Sequence, residues 1–436
     1  MRRTTKIAGA VVLLLVLALL AVLLTGPHDR TAGEAPPPSA SLGATSVERG
    51  RALVTLGDCR PCHTAQGGEE FAGGRAITTP FGTFYSPNIT PDAATGIGDW
   101  TAEDFWHALH NGYSRDGRPL YPTFPYTNYT RISRRDAQDM YEYLRTLPPV
   151  RRAARPHELQ FPYSNQLALR LWRRAYFRPG VYEPDPARSA GWNRGAYLVE
   201  GLAHCSACHE ARNSLGGAQS ERNPAGGLVL NWYAPSLTQP QEAGLQRWPQ
   251  RQIAAFLGGG RTIGEPGSAT PSAAAMGPMA EVVYESLQRV PAHELNAMAE
   301  YLKSLPVSAE PPVAPDLSAQ ADLAATLDNG RKTYAKHCAR CHGDNGEGRI
   351  PAALPLAGNR AVTMASATNA VRVLLYGGFT PGTASNPRPF GMPPFADTLS
   401  NTQIAEVLSY VRSAWNNHAA PVRVSEVARN RTGPEW

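Results

Sequence analysis

At 436 residues the chain is long enough for about three domains of ~100–150 residues each, and 40 Gly, 39 Pro and only 8% aromatics suit small, loop-rich modules that bury little apolar surface of their own. No Rossmann fingerprint, P-loop or nucleophile motif occurs, so nothing in the chain supplies substrate chemistry. The formal net charge of +6 raises nucleic acid as a partner only until the acidic groups of any cofactor are counted.

The chain opens "MRRTTK" and then runs uncharged from Ile7 to Leu24, eighteen apolar or small residues. That length reaches the threshold for a membrane-spanning helix, with Arg2, Arg3 and Lys6 holding the N-terminus in the cytoplasm. A cleaved signal peptide is the alternative, but no A-x-A site closes the run, so an uncleaved anchor over residues 1–27 is expected. Either way the body stands on the periplasmic side of the cytoplasmic membrane. The stretch "TAGEAPPPSASLGATS" provides a flexible tether over residues 28–44.

Six cysteines follow, all in C-x-x-C-H strings: Cys59, Cys62 and His63; Cys205, Cys208 and His209; Cys338, Cys341 and His342. This is the attachment signature of c-type heme, with two thioethers to the porphyrin and the adjacent histidine on the iron. Disulfides or zinc are the alternatives for exported cysteines. Neither explains a histidine after the second cysteine in all three copies, with no other cysteine to complete a four-ligand zinc site. Three strings imply three covalently bound hemes, whose propionates roughly offset the positive charge and remove the case for nucleic acid.

Around the strings the chain repeats itself. A short amphipathic helix precedes each ("SVERGRALVTLGD", "GWNRGAYLVEGLAH", "LDNGRKTYAKH"), and a terminal helix closes each module ("DAQDMYEYLRTLP", "ELNAMAEYLKSLP", "QIAEVLSYVRSAW"). A middle helix aligns "WTAEDFWHALHNG" with "WPQRQIAAFLGGG", and Thr101 and Asp104 have capping-box spacing. Met279 lies 22 residues before Tyr301, Met392 lies 18 before Tyr410, and Phe124 lies 19 before Tyr143. Met279 and Met392 are therefore the expected distal ligands of the second and third irons, with Met276 and Met364 as rivals and core packing as the bland alternative.

The first loop offers Phe124 instead, and no methionine occurs between Cys62 and Met140. Several readings stay open there: ligation by His110, beside the Asn111–Gly112 turn; by His107; by Tyr121, Tyr126 or Tyr129; or an open or water-bound iron. His110 is the tentative choice for the first heme. The basic segment "LALRLWRRAYFRPG", residues 167–180, is either a solvated helix over a linker or a docking face for a membrane or partner subunit.

Two terminal helices around a loop-wrapped heme resemble a small class I cytochrome c, repeated three times. That resemblance implies a role for Pro87, Pro235 and Pro355, whose carbonyls would receive the Nδ1 hydrogen of the proximal histidines. Beyond the heme strings, "GTFYSPNITPDAATGIGDWTAEDFWHAL", "FRPGVYEPDPARSAGWNRGAYLVEGLAHCSACHEARN" and "GPMAEVV" resemble the triheme cytochrome c subunits of bacterial membrane-bound dehydrogenases, partners of alcohol, gluconate, sorbitol, aldehyde or nicotinate dehydrogenases. The family's usual first loop has methionine in place of Phe124.

The resemblance implies a mainly α protein with three tandem class I cytochrome c domains after an N-terminal transmembrane helix: domain 1 over residues 45–149, a connecting segment over 150–188, domain 2 over 189–307, a loose Pro-rich hinge over 308–322, domain 3 over 323–418 and a tail over 419–436. It implies an electron carrier rather than an enzyme. A separate catalytic dehydrogenase subunit is the electron source, and membrane quinone or a terminal oxidase the acceptor. A heme enzyme or ligand-binding protein using an open first heme is the alternative.

Overall fold

The computed structural model describes residues 13–14, 42–219, 226–262, 273–308, 323–350 and 352–431. The expected anchor, residues 1–27, lies outside the described residues apart from Leu13 and Leu14, as do most of the tether and the hinge beyond Ser308. Among the described residues no helix is long and apolar enough to cross a membrane.

In chain order the principal helices are α1 (Ser46–Leu56), α2 (Ala102–Asn111), α3 (Arg134–Arg145), α4 (Gln166–Tyr176), α5 (Ala190–Ala196), α6 (Gln250–Gly259), α7 (Pro278–Glu285), α8 (Ala292–Ser304), α9 (Leu323–His337), α10 (Thr368–Tyr376), α11 (Asn401–Ser413) and α12 (Val424–Arg431). The strands are short ribbons beside the helices. Three helix pairs cross in the same manner: α1 on α3, α5 on α8 and α9 on α11.

A glycine makes each crossing possible. A Cβ on Gly50 would lie 1.9 Å from the Asp139 carbonyl oxygen, one on Gly195 would lie 2.0 Å from that of Ala297, and one on Gly330 would lie 2.1 Å from that of Glu406. Beside each glycine stands the Cβ of an aromatic residue, Tyr143, Tyr301 or Tyr410. The helix backbones thus touch directly, as only the residue without a side chain permits. The repeat seen in the sequence is therefore a repeat of a contact.

Local signals set the ends of the helices. Thr45 with Glu48 and Thr101 with Asp104 close capping boxes, the second as its spacing predicts. The apolar faces of α1, α3, α5 and α8 merge into one core that also takes in α2 and α6. Tyr197 crosses between these pairs, donating its hydroxyl to Asp136 at 2.6 Å, and Asn128 donates to the Glu200 carbonyl at 2.9 Å. The expected fixed interface between the first and second units is therefore present.

The third helix pair has its own core, yet it is not left loose as a Pro-rich hinge would suggest. Asn369 of α10 accepts the Tyr233 N–H at 2.8 Å and donates to the Tyr233 carbonyl at 2.7 Å, and Arg360 donates to the Pro240 carbonyl. Arg261 also reaches the Ser385 carbonyl at 3.1 Å. Chain composition reports the stiffness of a linker; it carries no information about surfaces that meet beyond it. The described part of the expected tail, residues 419–431, is likewise structured, because Val422 and Val427 are buried and α12 packs on α10 and α11.

The basic segment forms α4, which turns Leu169 and Arg173 inward. Arg173 is buried and donates to the carbonyls of Gly112 and Asn111. Its outer face leaves Leu167 and Leu171 exposed.

Candidate heme sites

The three C-x-x-C-H strings stand just after α1, the helical run that begins with α5, and α9, so each helix delivers its cysteines to a comparable place. None of the six cysteines is paired in a disulfide. Among the described residues no group of three or more His, Cys, Asp or Glu side chains is arranged to hold a metal ion. Burial pushes the Cys62 and Cys205 thiols up to about 12 and those of Cys208 and Cys338 up to about 11. Protonated, unpaired thiols in an apolar wall suit thioether formation rather than a thiolate zinc centre.

Two of the adjacent histidines are held in the way a proximal ligand requires its tautomer to be set. His63 Nδ1 donates to the Pro87 carbonyl at 2.8 Å, and His209 Nδ1 donates to the Pro235 carbonyl at 2.7 Å. A carbonyl can only accept, so the proton sits on Nδ1 and the Nε2 lone pair is left for iron. Burial lowers the basicity of both rings despite that bond, which keeps them neutral.

The third site departs from this arrangement. Among the described residues His342 Nδ1 makes no hydrogen bond of normal geometry; burial lowers its basicity, and the carbonyl that opposes this is that of Leu354, one residue before Pro355. The role expected for Pro355 is therefore not filled here. Proline count alone could not separate Pro355 from Pro87 and Pro235, since 39 prolines leave one near most turns.

A cavity of about 650 Å³ joins the second and third sites. Cys205, Cys208 and His209 line one part, Cys338, Cys341 and His342 another, with Leu257, Trp248, Leu374 and Val411 among its apolar walls. Two thiols, a neutral imidazole and an apolar chamber are the donor set and the surroundings that a covalently held heme requires. The residues present therefore fit the group.

Met279 and Met392 both line this chamber, and so do their rivals Met276 and Met364. Met279 rides on α7 and packs against the joint core of the first two units, whereas the Met276 methyl reaches across toward Gly378 of the third. Met392 lies on a short strand against the third core, and Met364 is buried at 5% exposure. Both expected sulfurs line the chamber, and each has its rival beside it.

Around the first site, Phe124 is half-buried, with Tyr129 at 5.4 Å between ring centroids. Tyr129 is buried, and its hydroxyl donates to the Gly57 carbonyl at 2.9 Å, two residues before Cys59. His110, the tentative choice for the first heme, is buried beside its turn. It is 2% exposed, its Nδ1 donates to the Thr130 carbonyl at 2.8 Å, and its ring stacks on Trp106 at 4.5 Å. In the second site Ile253, Phe256 and Leu257 of α6 line the cavity, whereas Gly258, the position aligned with His110, does not. His107 faces outward, with Nε2 3.2 Å from Glu103 and Nδ1 3.1 Å from Asn111.

Sequence reasoning misses Asp58. It takes a left-handed backbone conformation directly before Cys59, lines the cavity of the second site, and has an Oδ1 buried without a hydrogen bond. Burial pushes its carboxyl up to about 7, Glu281 adding to the effect and Arg75 and Arg60 opposing it. Adjacency to the first string is its only signal, and that signal points to the wrong site.

Paired thiols, a carbonyl-oriented imidazole and an apolar chamber define a c-type cytochrome, with covalently bound heme c. Residues 47–148 and 327–415 match the Cytochrome c family. The chain is 40% identical over 410 residues to a nicotinate dehydrogenase subunit of Pseudomonas putida, covering 92% of this chain and 33% of that longer one. It is 36% identical over 402 residues to the cytochrome c subunit of the quinone-type alcohol dehydrogenase of Gluconacetobacter polyoxogenes, covering 88% and 84%. With the gluconate 2-dehydrogenase cytochrome c subunit of Pantoea cypripedii, identity is 35% over 406 residues, covering 88% and 89%. The chain belongs to the family of cytochrome c subunits of bacterial dehydrogenases.

Proposed function

We propose that this chain is a triheme electron-transfer subunit, three cytochrome c domains held to the periplasmic face of the cytoplasmic membrane by residues 1–27. It accepts electrons from a partner dehydrogenase and passes them to membrane quinone or a terminal oxidase. The observation that carries this reading is the threefold crossing of a glycine-bearing helix on a terminal helix, each followed by a C-x-x-C-H string, with two of those strings opening into one chamber.

When bound, each heme takes up or releases one electron without binding substrate. The residues of the chain prepare that step. His63 and His209 are held neutral and aimed by Pro87 and Pro235, while Met279 and Met392 present thioethers that favour the ferrous state. Both strings line one largely apolar chamber, which would hold the second and third hemes in a common low-dielectric surround.

The test is purification of the full chain from membranes, with heme counted per chain and reduction followed as substrates of candidate dehydrogenases are added. Three hemes, a co-purifying dehydrogenase subunit and rapid substrate-driven reduction are expected. Two hemes per chain, or turnover of a substrate by the cytochrome alone, would overturn the reading.

A further inference from the structure

We propose that the first heme site has no protein ligand on its distal side and that the Phe124 face of that site admits one small neutral diatomic ligand of the π-acceptor class, such as carbon monoxide or nitric oxide. The inference rests on the reading above that Cys59, Cys62 and His63 carry a heme.

Its first support is position. Phe124 precedes Tyr143 by 19 residues, within the range set by Met279 before Tyr301 and Met392 before Tyr410, and Tyr143, Tyr301 and Tyr410 are fixed as equivalents by their contacts with Gly50, Gly195 and Gly330. The glycine crossings thus anchor an alignment that otherwise depends on counting. Phenylalanine offers iron no donor atom.

Its second support is that the nearby methionine and histidines are held in other contacts. Met140 is 1% exposed in the core face of α3. His107 points both ring nitrogens at Glu103 and Asn111 on the surface. His110 is held in a stack on Trp106, at a position whose counterpart in the second unit stands off the cavity. His157 accepts the Tyr85 N–H at 3.2 Å through Nδ1. The strongest rival is His204, which meets the Tyr129 ring edge-on at 5.5 Å, although it lines the second site's cavity and turns Nδ1 to the Leu202 carbonyl.

The same contacts specify the ligand. Phe124 is apolar, and the Tyr129 hydroxyl is already donated to the Gly57 carbonyl. A guest on this face receives no hydrogen bond from either ring. An anion or a polarised dioxygen adduct depends on such a donor, whereas a neutral π-acceptor bound to ferrous iron does not.

The experiment uses the detergent-solubilised full chain with its heme content counted first. The dithionite-reduced protein is titrated with carbon monoxide and followed in the Soret difference spectrum, alongside Phe124→Met and His204→Ala variants. One carbon monoxide per chain in the wild type is expected, falling at least tenfold in Phe124→Met, which also gains an additional sulfur-to-iron charge-transfer band in its ferric spectrum. His204→Ala should bind as the wild type does. Three hemes with no carbon monoxide difference spectrum would overturn the inference, as would binding that appears only in His204→Ala or that Phe124→Met leaves unchanged. Two hemes per chain with unmodified Cys59 and Cys62 would instead remove the reading on which it rests.

Discussion

Arg75, in the loop that follows the first heme string, grips Glu281 with two hydrogen bonds of 2.5 and 2.8 Å, and Glu281 lies two residues beyond Met279 on α7. The same guanidinium donates to the Pro61 carbonyl at 2.9 Å, between Cys59 and Cys62. One side chain therefore ties the first attachment turn to the helix that carries Met279. Arg60 makes a parallel link to Glu285. Both members of the Arg75–Glu281 pair are partly solvated, so the pair stabilises by only about 1 kcal/mol. Arg75→Gln, Glu281→Gln and the double variant, compared by thermal unfolding, should show a coupling of that size; additive effects would mean that the interface stands on its apolar core alone.

A single amide clasps the third unit alongside the Arg360 and Arg261 bonds. Asn369 satisfies both the N–H and the carbonyl of Tyr233. Asn369→Ala removes two hydrogen bonds, a loss of about 1–3 kcal/mol at this contact. Calorimetry should resolve a separate, earlier transition for the third unit in this variant. A single unshifted transition would show that the shared chamber holds the units together without the clasp.

Asp58 gives stability a pH dependence. Its carboxyl titrates near 3.8 when unfolded and is pushed up to about 7 by burial in the fold. Between those values the folded chain holds a proton that the unfolded chain has released, so stability present below about pH 4 is lost as pH rises toward 7. Each unit of such a gap is worth about 1.4 kcal/mol. Asp58→Asn should therefore melt higher than the wild type at pH 8 and match it at pH 4. Equal melting at both values would mean that the carboxylate finds compensation from Arg75 and Arg60.

The heme strings and the helices around them were legible because each is written in a local pattern of fixed spacing. The Thr101–Asp104 capping box was legible for the same reason. What escaped was set by surfaces meeting across long stretches of chain. The Asn369–Tyr233 clasp joins residues 136 apart and Arg75–Glu281 joins residues 206 apart, and neither side of either contact carries a motif. Gly50, Gly195 and Gly330 fall between these cases. They stand at one position of a repeat that the sequence displays, but their meaning appears only when the crossing helix is in place.

His110 shows the same limit at a single residue. From the sequence it is a histidine beside a glycine turn. In the fold it is a buried ring between Trp106 and the Thr130 carbonyl. Replacing it with alanine should leave the ferric spin state of the first heme unchanged while lowering stability by about 1–3 kcal/mol through loss of a buried hydrogen bond and its packing. Electron paramagnetic resonance of the full chain checks this. A low-spin first heme that turns high-spin in His110→Ala would assign the ligand to His110 after all.

The glycine crossings make the sharpest prediction about the fold. At Gly330 an added methyl would meet the Glu406 carbonyl oxygen at 2.1 Å and the Tyr410 Cβ at 2.8 Å, both on the backbone side of α11, where no rotamer can yield. Helices α9 and α11 would have to separate along the crossing that positions Cys338, and the third core would open with them. Gly330→Ala should cost about 3 kcal/mol or more, at the upper end of overpacking effects, and should weaken the sulfur-to-iron band of the third site. Gly180→Ala is the matched control, since a methyl there meets nothing within 4 Å. If Gly330→Ala melts with the wild type while Gly180→Ala does too, the helices have room that the crossing does not display, and the repeated glycine would be a feature of sequence without structural force.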